Sequence, residues 1–267
     1  MLYYSNAKIN LGLNIIEKRK DGFHNIETVF YPLSLQDAIE FVPSEMVSLT
    51  SSGIQLDCEL EQNLIIKAYR LLQEDFDLPI LKFHLHKIIP FGAGLGGGSA
   101  NAASTLIELN KFYNLKLSES QLMRYASKLG SDCAFFIKNK SVFAEQKGDV
   151  FSELELDLSA YQILLIHPGF GVSTPEAYAG VCPRVAKVSV AKIAQRNVNF
   201  WKDNLRNDFE ETVFQKYPIL DEIKQKMYNN GAVYASMSGS GSSMFGIFEN
   251  QAEDIDFGSF WSWKGQL

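Results

Sequence analysis

Residues 90–104, Pro-Phe-Gly-Ala-Gly-Leu-Gly-Gly-Gly-Ser-Ala-Asn-Ala-Ala-Ser, constrain this chain more than any other segment. Five glycines, Gly92, Gly94, Gly96, Gly97 and Gly98, fall within seven positions, and the composition then switches to Ala, Ser and Asn. A strand pattern precedes them: Leu81, Phe83, Leu85 and Lys87 alternate with Lys82, His84 and His86, and Ile88-Ile89 close the run. A helix pattern follows from Ala100 to Phe112, with Ala103, Leu106, Ile107 and Asn110 on helical spacing. Strand, glycine loop and helix N-terminus together make a phosphate cradle. Glycine lets backbone approach the anion, and the free N–H groups of the first turn point at it. The loop contains a Gly-x-Gly-x-x-Gly pattern but lacks the downstream acid of a dinucleotide site. No Gly-Lys-Ser/Thr follows, so it is not a Walker A loop either. The bland alternative, a glycine linker, fits poorly between a strand and an Ala-rich helix.

The 267 residues suffice for two cores, and 46% apolar with 21% charged residues is ordinary globular composition. A net charge of −6 argues against a nucleic-acid surface, which needs clustered Lys and Arg. Three scattered cysteines, Cys58, Cys133 and Cys182, suggest a reducing compartment without a disulfide framework. Neither a signal peptide nor a membrane span is read from the chain, so a cytoplasmic protein with no membrane partner is expected.

Short strands are predicted at Ala7–Ile16, Thr28–Pro32, Ala38–Val42 and Met46–Thr50, with a hairpin turn at Asp21-Gly22. Leu64–Glu74 reads as an amphipathic helix, and Ser118–Lys128 as another with a Ser118/Gln121 capping box. Gly130 is expected to end that helix in a left-handed cap. Ala134–Ile137, Ser141–Glu145 and Tyr161–His167 read as strands; Ser189–Gln195, Asp208–Tyr217 and Ile219–Asn229 read as helices. Ala232–Ser236 and Ser243–Phe248 read as a hairpin around a second small-residue loop, Met237-Ser-Gly-Ser-Gly-Ser. The class is α+β, with a soft boundary dividing residues 1–155 from 156–267.

Four motifs now line up: Ala7-Lys8-Ile9-Asn10-Leu11, Asp21-Gly22-Phe23-His24, the loop Pro90–Ser99, and Ser238-Gly239-Ser240-Gly241. They resemble the GHMP kinase superfamily, named for galacto-, homoserine, mevalonate and phosphomevalonate kinases. With Gly130-Ser131-Asp132, they are most similar to the branch that phosphorylates a cytidine-diphosphate polyol in the non-mevalonate isoprenoid pathway. Lys-Ile-Asn followed by Asp-Gly-Phe-His is the discriminating pair, and the similarity spans nearly the whole chain. Ala134 stands where the family usually has Pro, and the aromatic tail with Phe257, Phe260, Trp261 and Trp263 matches nothing in the pattern.

The resemblance implies a two-domain fold, an N-terminal ribosomal-protein-S5-domain-2-like domain and a C-terminal ferredoxin-like α/β plait. It also implies ATP as co-substrate with Mg²⁺, a small cytidyl polyol as partner, and a monomer or homodimer. Asp132 would be the general base and Lys8 the cation that pairs with it and with the attacking oxygen. Standing alone, Asp132 reads equally well as a helix cap, and a lone strand lysine as a solvated edge residue. Pro90, Phe91, Gly92, Ala93, Gly94, Leu95, Gly96, Gly97, Gly98, Ser99 and Ala100 would hold ATP, with Asn63 and Lys87 near the adenine. Ser99 is the candidate Mg²⁺ ligand. Phe23, His24 and Tyr178 would stack on and read the cytosine, while Asn10 and Thr174 line the polyol pocket. Core packing is the plain alternative for Phe23 and Tyr178. His84 and His86 share a strand face but have no third ligand nearby, so they read as solvated. Two rivals remain: a related kinase acting on another small alcohol, and a catalytically dead nucleotide sensor.

Overall fold

The computed structural model describes residues 1–56, 58–250 and 255–267. The chain folds as two compact units woven from separate segments. One comprises Met1–Ala7, Leu35–Phe91 and Gly96–Lys140; the other comprises Lys8–Ser34, Gly92–Leu95 and Ser141–Leu267.

Two long strands, β1 (Leu2–Lys18) and β2 (His24–Pro43), are joined at the Asp21-Gly22 turn and continue from one unit into the other. The predicted strands Thr28–Pro32 and Ala38–Val42 are therefore one. Tyr31, Leu33, Leu35, Asp37, Ile39 and Phe41 keep an unbroken period of two toward the interior, which Pro32 does not interrupt. The first half of β2 pairs with β5 (Val142–Gln146), its second half with β4 (Leu81–Lys87), both antiparallel. Adding β3 (Ser48–Gly53), parallel to β4, and β6 (Val150–Glu153) gives the order β3-β4-β2-β5-β6, with β1 beside β2.

In the first unit, α1 (Leu64–Gln73), α2 (Gly97–Phe112), α3 (Glu119–Leu129) and α4 (Cys133–Lys138) pack on one another. α2 begins three residues before the expected Ala100, because the glycines themselves form its first turn. The capping box of α3 forms as expected, but Gly130 is extended (φ 166°) rather than left-handed. The segment predicted as strand Ala134–Ile137 lies in α4. Its β-prone Phe-Phe-Ile run is short and buries against α3 and α2, so packing overrides propensity. The aromatic centre of this unit is Phe41, whose ring lies 5.4–6.3 Å from those of Tyr3, Phe83, Phe112 and Tyr113.

The second unit holds an antiparallel sheet in the order β10 (Trp261–Gln266), β7 (Gln162–His167), β9 (Met244–Phe248), β8 (Tyr234–Met237). The predicted hairpin is β8–β9, and the aromatic tail is the edge strand β10, with Trp263 opposite Leu165. Short helices α5 (Thr174–Tyr178), α6 (Val190–Ala194) and α7 (Trp201–Asn204) lead to α8 (Glu210–Lys216) and α9 (Ile219–Asn229). Leu220, Ile223 and Met227 of α9 bury among Ile166, Val213, Ala235 and Met244. No helix among the described residues is long and apolar enough to cross a membrane.

Truncating Phe41 to Ala removes the ring on which four others converge. A loss of about 3–5 kcal/mol is expected, read from the urea midpoint at constant m-value.

Candidate active site

The glycine loop is held by its backbone. Gly92, Gly94 and Gly96 take left-handed φ values of +59°, +75° and +69°, while Ala93 and Leu95 between them are buried. That alternation curves the chain and turns N–H groups to one side, the geometry that binds anions. Gly96 is the N-cap of α2 and offers no capping side chain. The first intrahelical bond there runs from Ala100 N to Gly96 O at 2.9 Å, so the N–H groups of Gly97, Gly98 and Ser99 have no intrahelical acceptor. Without a cap, this helix start suits a phosphate.

Within the second unit, the loop segment Gly92–Leu95 is tied to the opening strand and to the second small-residue loop. Lys8 N donates to Leu95 O at 2.9 Å, and Ser243 N donates to Ala93 O at 3.2 Å. Ser238 Oγ donates to Gly94 O at 2.8 Å and accepts from Asn10 N at 3.2 Å. A Cβ on Gly94 would collide with the Ser238 carbonyl oxygen, so the approach requires glycine at this position. Lys8 is buried, which removes the solvated-edge reading. Its Nζ donates to Asn10 Oδ1 at 2.6 Å and Gly94 O at 3.2 Å, and lies 4.9 Å from the Phe30 ring centre.

Two supporting residues, Thr28 and Asn207, escaped the sequence reading, and a third, Ser242, lies in the second small-residue loop it singled out. Asn10 Nδ2 donates to Thr28 Oγ1, which in turn donates to Gly12 O. Asn207 Nδ2 donates to Met237 O and Gly239 O, fastening the second loop from behind. Ser242 Oγ donates to Phe170 O and lies 3.3 Å from His167 Nδ1. Only the interleaving of Ser and Gly at 238–242 signalled any of this.

The same unit brings His24 and Tyr178 together as a parallel stack, with centroids 4.3 Å apart and planes 10° off parallel. Phe209 closes edge-on against Tyr178. Phe23 stands outside this stack, exposed, with the Lys147 ammonium 5.3 Å from its ring centre. Thr174 opens α5, whose N-cap Ser173 accepts from Glu176 N.

In the first unit, Asp132 occupies the N-cap position of α4, yet its side chain makes no capping bond, which weakens the cap-only reading. The next residue, Cys133, is buried and shares a hydrogen bond with Ser99; burial raises its thiol to about 11. Asn63 caps α1, accepting from Ile65 N at 2.9 Å. Lys87 is fully buried in an ion pair with Asp37 and lies beneath Gly97, whose Cβ would fall 2.9 Å from Nζ. Burial pushes this ammonium below the ordinary lysine range, and the Asp37 charge opposes that shift. His84 and His86 hydrogen-bond to Thr50 and Ser52 of β3.

A left-handed glycine loop opening an uncapped helix, with a buried lysine on the Gly94 carbonyl, is the anion-receiving arrangement a small-molecule kinase needs. The family model described as GHMP kinases N terminal domain matches residues 63–140, and that described as GHMP kinases C terminal matches 189–262. The chain is 48% identical to a Bacteroides fragilis protein and 50% identical to one from Bacteroides thetaiotaomicron, covering 100% of each chain. Both relatives are named 4-diphosphocytidyl-2-C-methyl-D-erythritol kinase. A solved structure of 4-(cytidine 5'-diphospho)-2C-methyl-D-erythritol kinase superposes with TM-score 0.82 at 30% identity, covering 99% of this chain and 98% of that one. Homoserine kinase from Cytophaga hutchinsonii shares the fold at TM-score 0.70 and 18% identity. The chain belongs to the GHMP kinases, in the group formed by its 4-diphosphocytidyl-2-C-methyl-D-erythritol kinase relatives.

Gly94→Ala sets a Cβ against the Ser238 carbonyl in a left-handed conformation. The expected result is a folded protein whose ATP affinity falls about tenfold or more, measured by nucleotide titration. A second expectation concerns acid. Burial holds both His24 and His167 below 6.5, and Lys18 adds to the depression at His24. The unfolded chain therefore takes up these protons first, and stability falls as pH drops through about 6.5 toward the native values. His167→Asn should flatten that fall in melting temperature between about pH 7 and 5.5.

Proposed function

We propose that this kinase transfers the γ-phosphoryl group of ATP to the 2-hydroxyl of 4-diphosphocytidyl-2-C-methyl-D-erythritol, giving the 2-phosphate and ADP, in the cytoplasm. The observation that carries this reading is full-length identity near one half to kinases bearing that name, together with the fastened glycine loop. Residues 1–155 would form the nucleotide domain and 156–267 the second domain, in a monomer or homodimer.

Asp132 accepts the proton of the 2-hydroxyl as its oxygen attacks phosphorus. The new P–O bond forms as the bond to the leaving ADP oxygen breaks. Phosphoryl transfer has a loose transition state, so positioning and charge supply most of the catalysis. The Lys8 ammonium, directed by Asn10 and the Gly94 carbonyl, stabilises the charge on the attacking oxygen. The loop from Pro90 to Ala100 receives the phosphates through the free N–H groups at the start of α2. Asn63 and Lys87 serve the nucleotide side. Mg²⁺ needs few protein ligands when phosphates and waters complete its shell, so the Ser99 hydroxyl fits it even though the described residues hold no cluster of three His, Cys, Asp or Glu. When bound, that ion neutralises phosphate charge.

The His24–Tyr178 stack supports recognition of a flat base, because a ring already held against another offers an ordered face. Phe23 supplies a second ring from the adjacent turn, and Asn10 and Thr174 meet the polyol. Homoserine or mevalonate carries no base to use these rings.

ADP formation, measured with and without the cytidyl substrate, tests the whole reading. Substrate-dependent turnover is expected in the native protein. Asp132→Asn should lose about 10²–10⁴-fold in kcat while ATP affinity survives. An undiminished rate would remove Asp132 from the mechanism.

A further inference from the structure

We propose that Asp37 is a positioning residue for ATP, which with Lys87 sets the height and direction at which the glycine loop leaves β4 and enters α2. The inference rests on the reading of that loop as the nucleotide site. Asp37 occupies a core register of β2, between Leu35 and Ile39, and neither its side chain nor that of Lys87 reaches solvent (0% exposed). An acid in such a position needs donors on every lone pair, and it has them.

Oδ1 accepts from the backbone N–H groups of Ile88 at 2.7 Å and Ile89 at 2.9 Å, the two residues between the end of β4 and Pro90. Oδ2 accepts from Lys87 Nζ and from Asn101 Nδ2 at 3.0 Å. Asn101 lies in the second turn of α2, and its amide also reaches Ser5 Oγ on β1 at 2.5 Å. One carboxylate thus grips both the strand that enters the loop and the helix that leaves it. The ammonium it pairs with supports the first turn from below. Nζ lies where Gly97 has no side chain to displace it, and 5.1 Å from the Phe91 ring centre.

A buried ion pair is a poor device for stability, since packed apolar residues of equal volume do as well or better. Its distinctive contribution here is direction. Four donors from two chain segments, one on each side of the loop, meet two oxygens with fixed geometry, so the loop's two ends cannot shift independently. Misplacing the phosphates by about 1 Å is enough to cost roughly 100-fold in a reaction that depends on positioning. Lys87 therefore acts from beneath the loop, as part of its foundation.

Two variants test this in the full-length protein: D37N, and D37L/K87M, which removes both charges at similar volume and decides the matter should D37N fail to fold. Each is assayed at a temperature where circular dichroism shows it native. The expected result is an ATP KM raised about 10- to 100-fold with the cytidyl-substrate KM within about twofold of wild type. A merely structural role lowers kcat through the folded fraction and leaves both KM values in place. That pattern, or an ATP KM within about twofold of wild type in either folded variant, overturns the proposal. Absence of cytidyl-dependent ATP consumption by the wild-type protein overturns the nucleotide-site reading, and with it this inference. Wild-type activity accompanied by an unshifted ATP KM in the variants overturns the role of Asp37 alone.

Discussion

Backbone packed against backbone at Gly94 is the constraint from which the glycine loop takes its shape. The Ser238 carbonyl comes too near for any Cβ, and the left-handed φ of +75° excludes most other residues independently. The Gly94 carbonyl, turned by that φ, becomes the acceptor for both the Ser238 hydroxyl and the Lys8 ammonium. A lysine rarely stays in a sheet interior, and this one does because Asn10 Oδ1, a loop carbonyl and the face of Phe30 replace its water. Asn10 is fixed in turn by Thr28, and the Ser238 turn by Asn207. Lys8 is thus the last member of a chain of hydrogen bonds that begins with a missing side chain.

The two buried strand lysines divide their work. Lys8 donates to Asn10 Oδ1 and to the Gly94 carbonyl. Lys87 is neutralised by Asp37 and contributes geometry. Lys8 lies in a stretch of β1 buried on both faces, and Lys87 at an inward position of the alternating strand β4. Lys87 meets an acid on the core face of β2, and Lys8 meets the glycine loop's own carbonyl.

Local signals were readable because their partners lie within a few residues. The Ser118/Gln121 capping box, the Asp21-Gly22 hairpin and the alternation in β4 need no distant contact to form. The strand expected at Ala134–Ile137 failed for the converse reason. Phe135, Phe136 and Ile137 favour a strand on their own, and α2 and α3 beside them impose a helix. The two strands expected at Thr28–Pro32 and Ala38–Val42 are one, because the inward alternation runs unbroken from Tyr31 to Phe41. One signal was present and went unread: an aspartate at an apolar register position, Leu35-x-Asp37-x-Ile39, marks a buried acid that must have donors. Asn207 and Thr28 carry no such mark, since polar residues of their type are common in loops and strands.

From its residues alone, the chain determined that a glycine turn follows β4, that a helix opens directly after it, and that Lys8, Asn10, His24 and Asp132 stand in a recognisable kinase pattern. Tertiary structure decided which of these groups meet. It stacked His24 on Tyr178 and left Phe23 outside, and it placed Lys8 on the Gly94 carbonyl while burying Lys87 against Asp37. Spacing encodes conformation over one or two turns of chain, where neighbours are fixed by covalent geometry. Contacts such as Asn10 with Ser238, 228 residues apart, exist only after the sheets have formed, and no local pattern specifies them.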